Sequence, residues 1–194
     1  MRNLFLLCVA LSLACTAAGA QERPRPASGR SRAEAAVLDP FSRLRVTGHV
    51  LVGDSAPDFE LTSSAGGDVW LSRLRGDWLV LCFADDRQEL AELGPMDHEL
   101  ERMGVRMVAI CGDKPQTLRT FVMRQALPFE ILSDATGEVS AMYGFYDPVT
   151  LTGRTGIVIV DRRGIVRLAL QGGAPAEQVV ELTRYTLAAF TPGP

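Results

Sequence analysis

The chain has 194 residues, 47% hydrophobic by a broad count and 22% charged, with 20 Lys and Arg against 23 Asp and Glu for a net charge of −3. That composition fits one globular domain with tails, and it lacks the basic surplus that a general nucleic-acid binder carries. Lys114 is the single lysine, so arginine supplies nearly all the positive charge.

Residues 1–20 read as a secretory signal peptide. Arg2 gives a short positive start, Leu4 to Ala14 is an apolar run too short to span a bilayer, and Ala18-Gly19-Ala20 offers small residues for cleavage before Gln21. Export to the periplasm or the extracellular space is therefore expected. Cys15 offers a second cleavage, ahead of a lipid-modified cysteine. The residues before it, Ser12-Leu13-Ala14, fit that signal poorly, and only in that case would the protein be held at a membrane.

Residues 21–47 read as a linker: the stretch 21–45 holds three prolines and six arginines against Glu22, Glu34 and Asp39, a local charge of +3. The folded domain is expected over 48–190, with 191–194 as a tail. Three apolar runs of strand length follow, Trp78 to Phe83, Val105 to Ile110 and Ile157 to Val160, and a fourth strand, Ile165 to Leu170, follows a polar link that ends on Gly164 and predicts a hairpin. Leu93, Met96, Leu100 and Met103 recur at helical spacing between the first two strands. Asp113 is a candidate cap for a helix with Pro115 in its first turn, presenting Leu118, Phe121 and Val122. A last helix over 175–189 offers Val179, Leu182 and Thr186. Helices alternating with buried strands predict an α/β protein with a mixed central β-sheet flanked by helices.

Of the four cysteines, Cys8 and Cys15 lie in the signal region, leaving Cys82 and Cys111. No Cys-x-x-Cys occurs, and His49 and His98 stand apart with no ligand-type neighbour, so neither a cofactor nor a metal is expected. Cys82 lies inside an apolar strand, where burial favours the neutral thiol. Cys111 ends a strand ahead of Gly112 and Asp113, at the edge where open α/β sheets bind ligands. The two strands are expected to be neighbours, though a disulfide between adjacent parallel strands has poor geometry.

Six segments, in order over residues 49–171, resemble the peroxiredoxins of the AhpC/TSA (redoxin) family. They are Gly53-Asp-Ser-Ala-Pro-Asp-Phe-Glu-Leu61, Val69-Trp-Leu-Ser-Arg-Leu-Arg-Gly76, the strand to Phe83, Leu132-Ser-Asp134, Tyr143-Gly144, and Ile157-Val-Ile-Val-Asp161 with Gly164. The resemblance implies a thioredoxin-like fold with peroxiredoxin-type N-terminal additions, thiol-dependent peroxidase activity, and in many members a homodimer. It fails where the chemistry belongs. The family pattern Pro-x-x-x-Thr/Ser-x-x-Cys, counted forward from Phe83, falls on Asp85, Glu89 and Glu92. Counted back from Gly104, its cysteine falls near Asp86. The segment is about six residues shorter than is usual in the family, and no cysteine stands between Cys82 and Cys111. The family's arginine position falls on Thr155, with Arg154 one place earlier.

Three functions remain open at this point. The first is an exported family member that has lost peroxidase activity and acts through a partner in the cell envelope. The second is a thiol peroxidase or oxidoreductase using Cys111 or Cys82 with Arg154. The third is a small-ligand binder with a strand-end cleft lined by Asp85, Arg87 and Arg154.

Overall fold

A computed structural model of the chain describes residues 45–46, 50–147, 149–150 and 152–190. The signal-peptide, lipidation and tail expectations fall outside these residues, as does nearly all of the linker. Its last part corrects the expected boundary, because Arg45–Val46 form strand β1 and pair with the final sheet strand.

Eight strands make one sheet in the order β1-β10-β9-β4-β5-β6-β2-β3, where β2 is Glu60–Ser63, β3 Asp68–Trp70, β4 Trp78–Ala84, β5 Val105–Cys111, β6 Ile131–Ser133, β9 Gly156–Val160 and β10 Val166–Gln171. The pairs β4/β5 and β5/β6 are parallel and the others antiparallel, so the sheet is mixed. Strands β7 (Tyr146–Asp147) and β8 (Thr152–Gly153) form a separate ribbon. The helices are α1 (Arg87–Ala91), α2 (Gly94–Arg102), α3 (Pro115–Gln125), α4 (Glu138–Met142) and α5 (Ala176–Phe190).

β4 is buried along its whole length because it is central and covered on both faces, which is why its sequence is a continuous apolar run rather than an alternation. Val80, Cys82 and Ala84 pack with Leu90, Met96, Leu118 and Val179 from the helices on one face. Leu79, Leu81 and Phe83 pack on the other with Phe59, Leu71, Tyr143 and Phe145. There the Phe83 ring lies 5.1 Å from Tyr143 and 4.7 Å from Phe145 between centroids. The Tyr143 hydroxyl donates to Pro57 O at 2.7 Å, so this buried phenol keeps a partner.

The Asp161–Gly164 link is a hairpin turn, with Gly164 at φ +82° and its amide donating to Asp161 O. Two helix expectations need correction. Asp113 does not cap α3: Lys114 occupies the N-cap without a side-chain bond, because the Asp113 carboxylate is drawn to Arg87. On α5 the buried stripe is Val179, Val180, Thr183 and Thr186, with Leu182 only half-buried. The threonines fit inside because each hydroxyl donates to the carbonyl four residues back, Thr183 to Val179 and Thr186 to Leu182. Among the described residues no helix is long and apolar enough to cross a membrane.

Candidate functional site

β4 ends at Ala84, and the chain turns through Asp85 and Asp86 into α1. Asp86 is the N-cap, its carboxylate accepting from the Gln88 amide at 2.9 Å. α2 is the helix read from the Leu93–Met103 spacing, with Leu93 and Met103 at its caps, and the five-residue α1 is a separate helix ahead of it. Leu90, 1% exposed, anchors α1 on the sheet.

A cleft of about 350 Å³ opens beside α1, at the C-terminal end of β4 and the start of β9. Cys82, Ala84, Leu90, Ile157 and Val179 form its apolar walls. Glu89 lines it from α1, Glu92 from that helix's C-cap, Thr155 from the approach to β9, and Gly173 to Pro175 from the loop before α5. The Gly172 amide donates to Thr155 O at 2.8 Å and fixes that loop. Across the cleft, Thr155 Oγ1 donates to Glu89 Oε2.

The residues expected to line such a cleft lie elsewhere. Asp85 is exposed and sits against Gly153 of the β7/β8 ribbon. Arg154 is exposed too; its amide donates to Phe145 O at 2.8 Å, and its charge helps hold the Asp147 carboxyl below the usual range, behind the amides of Val149 and Thr150. Arg87 turns toward the end of β5. Its Nη1 donates to Asp113 Oδ2 at 2.6 Å, and its guanidinium lies 5.5 Å from the centre of the Phe121 ring.

The two thiols are free and buried, on neighbouring parallel strands, in register with Ala109 for Cys82 and Ala84 for Cys111. Burial pushes the Cys82 thiol up to about 12. Burial also pushes Cys111 up, to about 11; the nearby Asp113 charge adds to this, while backbone amides of Asp113 and Gly112 and the Arg87 charge pull the other way. The Cys111 Sγ points at Asp113 Oδ2, 3.9 Å away. The structure thus separates the three candidates: Cys82 lines the cleft, Cys111 belongs to the Arg87–Asp113 pair, and Arg154 joins neither.

The sequence marks Glu89, Glu92 and Thr155 as occupants of family positions. It has no signal for the Thr155–Glu89 contact, whose partners are 66 residues apart, nor for the loop from Gly173 to Pro175.

The fold and the strand-end cleft define a thioredoxin-like protein of the peroxiredoxin type. Residues 52–169 match the model of the AhpC/TSA family, and the chain belongs to that family. It is 30% identical over 137 residues to the selenocysteine-containing peroxiredoxin PrxU of Peptoclostridium acidaminophilum, spanning 61% of this chain and 66% of that protein. It is 30% identical over 152 residues to the chloroplastic peroxiredoxin Q of Triticum aestivum, spanning 71% and 70% of the two chains. In three dimensions it resembles peroxidoxin BcpB from Mycobacterium tuberculosis, with a TM-score of 0.66 at 22% identity over 74% of this chain and all of that one.

Proposed function

We propose that this chain is an exported AhpC/TSA-family protein that does not turn over hydroperoxides and acts instead by binding, in the cell envelope. A peroxidase of this type needs a thiolate, in the first turn of a helix beside a cation. The observation that carries the proposal is the makeup of the 85–92 turn and helix, where the sequence sets four carboxylates (Asp85, Asp86, Glu89, Glu92) against a single arginine and no cysteine is present. The two thiols in the fold are both held toward their neutral form. Arg87, the cation nearest Cys111 in this helix, is paired with Asp113. Export rests on residues 1–20, and a partner, including a second copy of the chain, is to be sought among envelope proteins rather than nucleic acids.

The test uses the fully reduced full chain, a small excess of hydrogen peroxide and a sulfenic-acid trap, followed by intact mass over seconds to minutes. No adduct is expected, with both thiols still titratable after unfolding. A rapid single adduct mapped to Cys111 or Cys82 would overturn the proposal and make the protein a thiol peroxidase working from a new position.

A further inference from the structure

We propose that the end of the sheet opposite the cleft docks the folded domain on an anionic lipid surface. This goes beyond the proposed function: it holds whether or not the protein reduces peroxide, and it needs no lipid attached at Cys15.

Four segments meet at that end. Phe83 pairs with Gly156 beside the cleft, and Leu79 pairs with Val160 at the far end of the same two strands. The turn after Val160 carries Arg162 and Arg163. The Gly76 amide donates to Arg162 O at 2.9 Å and brings in Arg75, which follows a short 3-10 turn over Leu71–Leu74. The Gly53 amide donates to Val166 O at 2.9 Å and brings in Leu51 and Val52. Arg167, next to Val166, lies 4.6 Å from the centre of the Phe190 ring, so the last residue of α5 stands at this end too.

Leu51 is 54% exposed, Val52 57% and Phe190 43%. A single exposed apolar side chain is ordinary; three at one end of the domain, among cations, mark an interaction surface. Leu51 and Val52 sit at a loop tip, because the Asp54 amide closes the turn on Leu51 O at 3.1 Å and Gly53 takes φ +102°. Arg75, Arg162 and Arg163 are exposed. Among the described residues Arg75 and Arg162 make no ion pair. Arg163 reaches an Asp161 oxygen at 3.8 Å that Arg167 already holds at 2.6 Å. Of the exposed acids in these segments, Asp77 is paired with Arg106. Asp54 accepts from the Leu51 amide, and Asp58 from the amides of Phe59 and Ser72. Three guanidiniums against these last two carboxylates leave a positive surplus on a chain whose net charge is −3.

This combination fits a bilayer interface. Guanidiniums bind phosphate oxygens in forked pairs, and leucine, valine and phenylalanine side chains enter the boundary between headgroups and acyl chains. An acidic polymer would use the arginines and leave the apolar side chains in water. A protein partner with an anchoring side chain needs a pocket to seat it. The hollow lined by Arg75 and Gly164 is about 10 Å³, room for one water molecule at most. Docked this way, the domain turns its strand-end cleft away from the lipid and toward solution.

The test follows hydrogen exchange of the full chain titrated at pH 7 with two kinds of vesicle, phosphatidylcholine alone or with about one third phosphatidylglycerol. The anionic vesicles should slow exchange at residues 51–53 and 162–163 and leave residues 155–157 at the cleft unchanged. The neutral vesicles should slow neither. Two double variants, Leu51→Ser with Val52→Ser and Arg162→Gln with Arg163→Gln, keep residues 1–47, so any lipid binding by those residues is common to all three proteins. In each variant the affinity read from protection of the two loops should fall by about tenfold or more. Both should match the parent in urea unfolding, since the altered side chains are exposed; if one does not, the single variants Val52→Ser and Arg162→Gln carry the comparison. Equal protection by both vesicles, protection of neither loop, or unchanged affinity in both variants would overturn the proposal. Loss in the arginine variant alone would also overturn it, and would make this end a site for an acidic polymer.

Discussion

Arg87 Nη1 and Asp113 Oδ2 are 2.6 Å apart, and this contact joins the first residue of α1 to the turn that follows β5. The same Oδ2 lies 3.9 Å from the Cys111 sulfur. One carboxylate oxygen therefore holds the guanidinium and faces the thiol. Arg87 is the group that would favour a thiolate, and Asp113 both occupies it and opposes the thiolate with its own charge.

Asp113→Asn should therefore make Cys111 more reactive. The backbone amides near the sulfur remain, the opposing charge is removed, and Arg87 is released. The second-order rate of Cys111 with a neutral disulfide reagent at pH 8 should rise by about threefold to tenfold, in line with a cation acting on a nearby thiol. Arg87→Gln should lower the rate. The pair is sensed by the thiol if the two variants move in opposite directions. If both variants match the parent rate, the sulfur is isolated from the ion pair.

The two thiols should also differ from each other. Cys111 rises from 9.0 to about 11 and Cys82 from 9.0 to about 12. At pH 8 the thiolate fraction of Cys111 is then lower by roughly a hundredfold than in the unfolded chain, and that of Cys82 is lower still. Alkylation of the native protein should label Cys111 first and Cys82 later, both far more slowly than after unfolding. Peptide mapping of a time course checks the order. Cys82 labelled first would mean that the cleft admits reagent to a thiol more ionised than its burial allows.

The sheet was legible because its central strands are buried on both faces, so that Trp78 to Phe83 and Ile157 to Val160 are unbroken apolar runs. The family landmarks were legible for the same reason, since they are packing and capping residues rather than reacting ones. Asp134 accepts from the amides of Val139 and Ser140, capping α4, and Tyr143 and Phe145 fill the core beside Phe83. The site was much less legible. Helical periodicity over Leu93–Met103 does not show that the preceding residues form a separate short helix, because Leu90 is the one buried anchor of α1. Asp113 precedes a proline-started helix and reads as its cap, but an arginine 26 residues earlier competes for the same carboxylate. Pairing of that kind depends on which loops converge at the strand ends, and local sequence carries no record of it.

Asp161 gives a pH prediction whose sign is fixed by its surroundings. Burial alone would raise its carboxyl; the amide of Ile165, the Arg167 guanidinium and the amide of Arg163 outweigh it and hold the group below 3.8. Arg167 binds through Nε at 2.9 Å and Nη2 at 2.6 Å. A carboxyl depressed in the folded state stabilises the fold above its unfolded pKa, and this stabilisation is lost as pH falls through the folded value. Urea unfolding should show the protein weakening below about pH 4. Asp161→Asn should cost about 2 kcal/mol at pH 7, the scale of hydrogen bonds to a charged group, and should flatten that acid limb. An unchanged acid limb in the variant would assign the pH dependence to other carboxylates.

Two glycines beside the site should respond very differently to one added methyl group. At Gly156, the first residue of β9, a Cβ would lie 2.0 Å from Phe145 Cε1. That ring is fully buried and packed on Phe83, so neither it nor the sheet backbone has room to yield. Gly156→Ala should cost about 2 to 3 kcal/mol, the scale of an overpacked core. At Gly153, on the β7/β8 ribbon, a Cβ would meet Asp85 Oδ1 at 2.2 Å. Asp85 is exposed and can swing into solvent, so Gly153→Ala should cost less than about 1 kcal/mol. Parallel urea titrations of the two variants measure the difference. Because Gly156 and Thr155 are adjacent, the first variant should also loosen the Thr155–Glu89 contact across the cleft, visible as a shifted Thr155 amide. Equal costs at the two positions would mean that Phe145 is free to move and that the wall behind the cleft is softer than its packing implies.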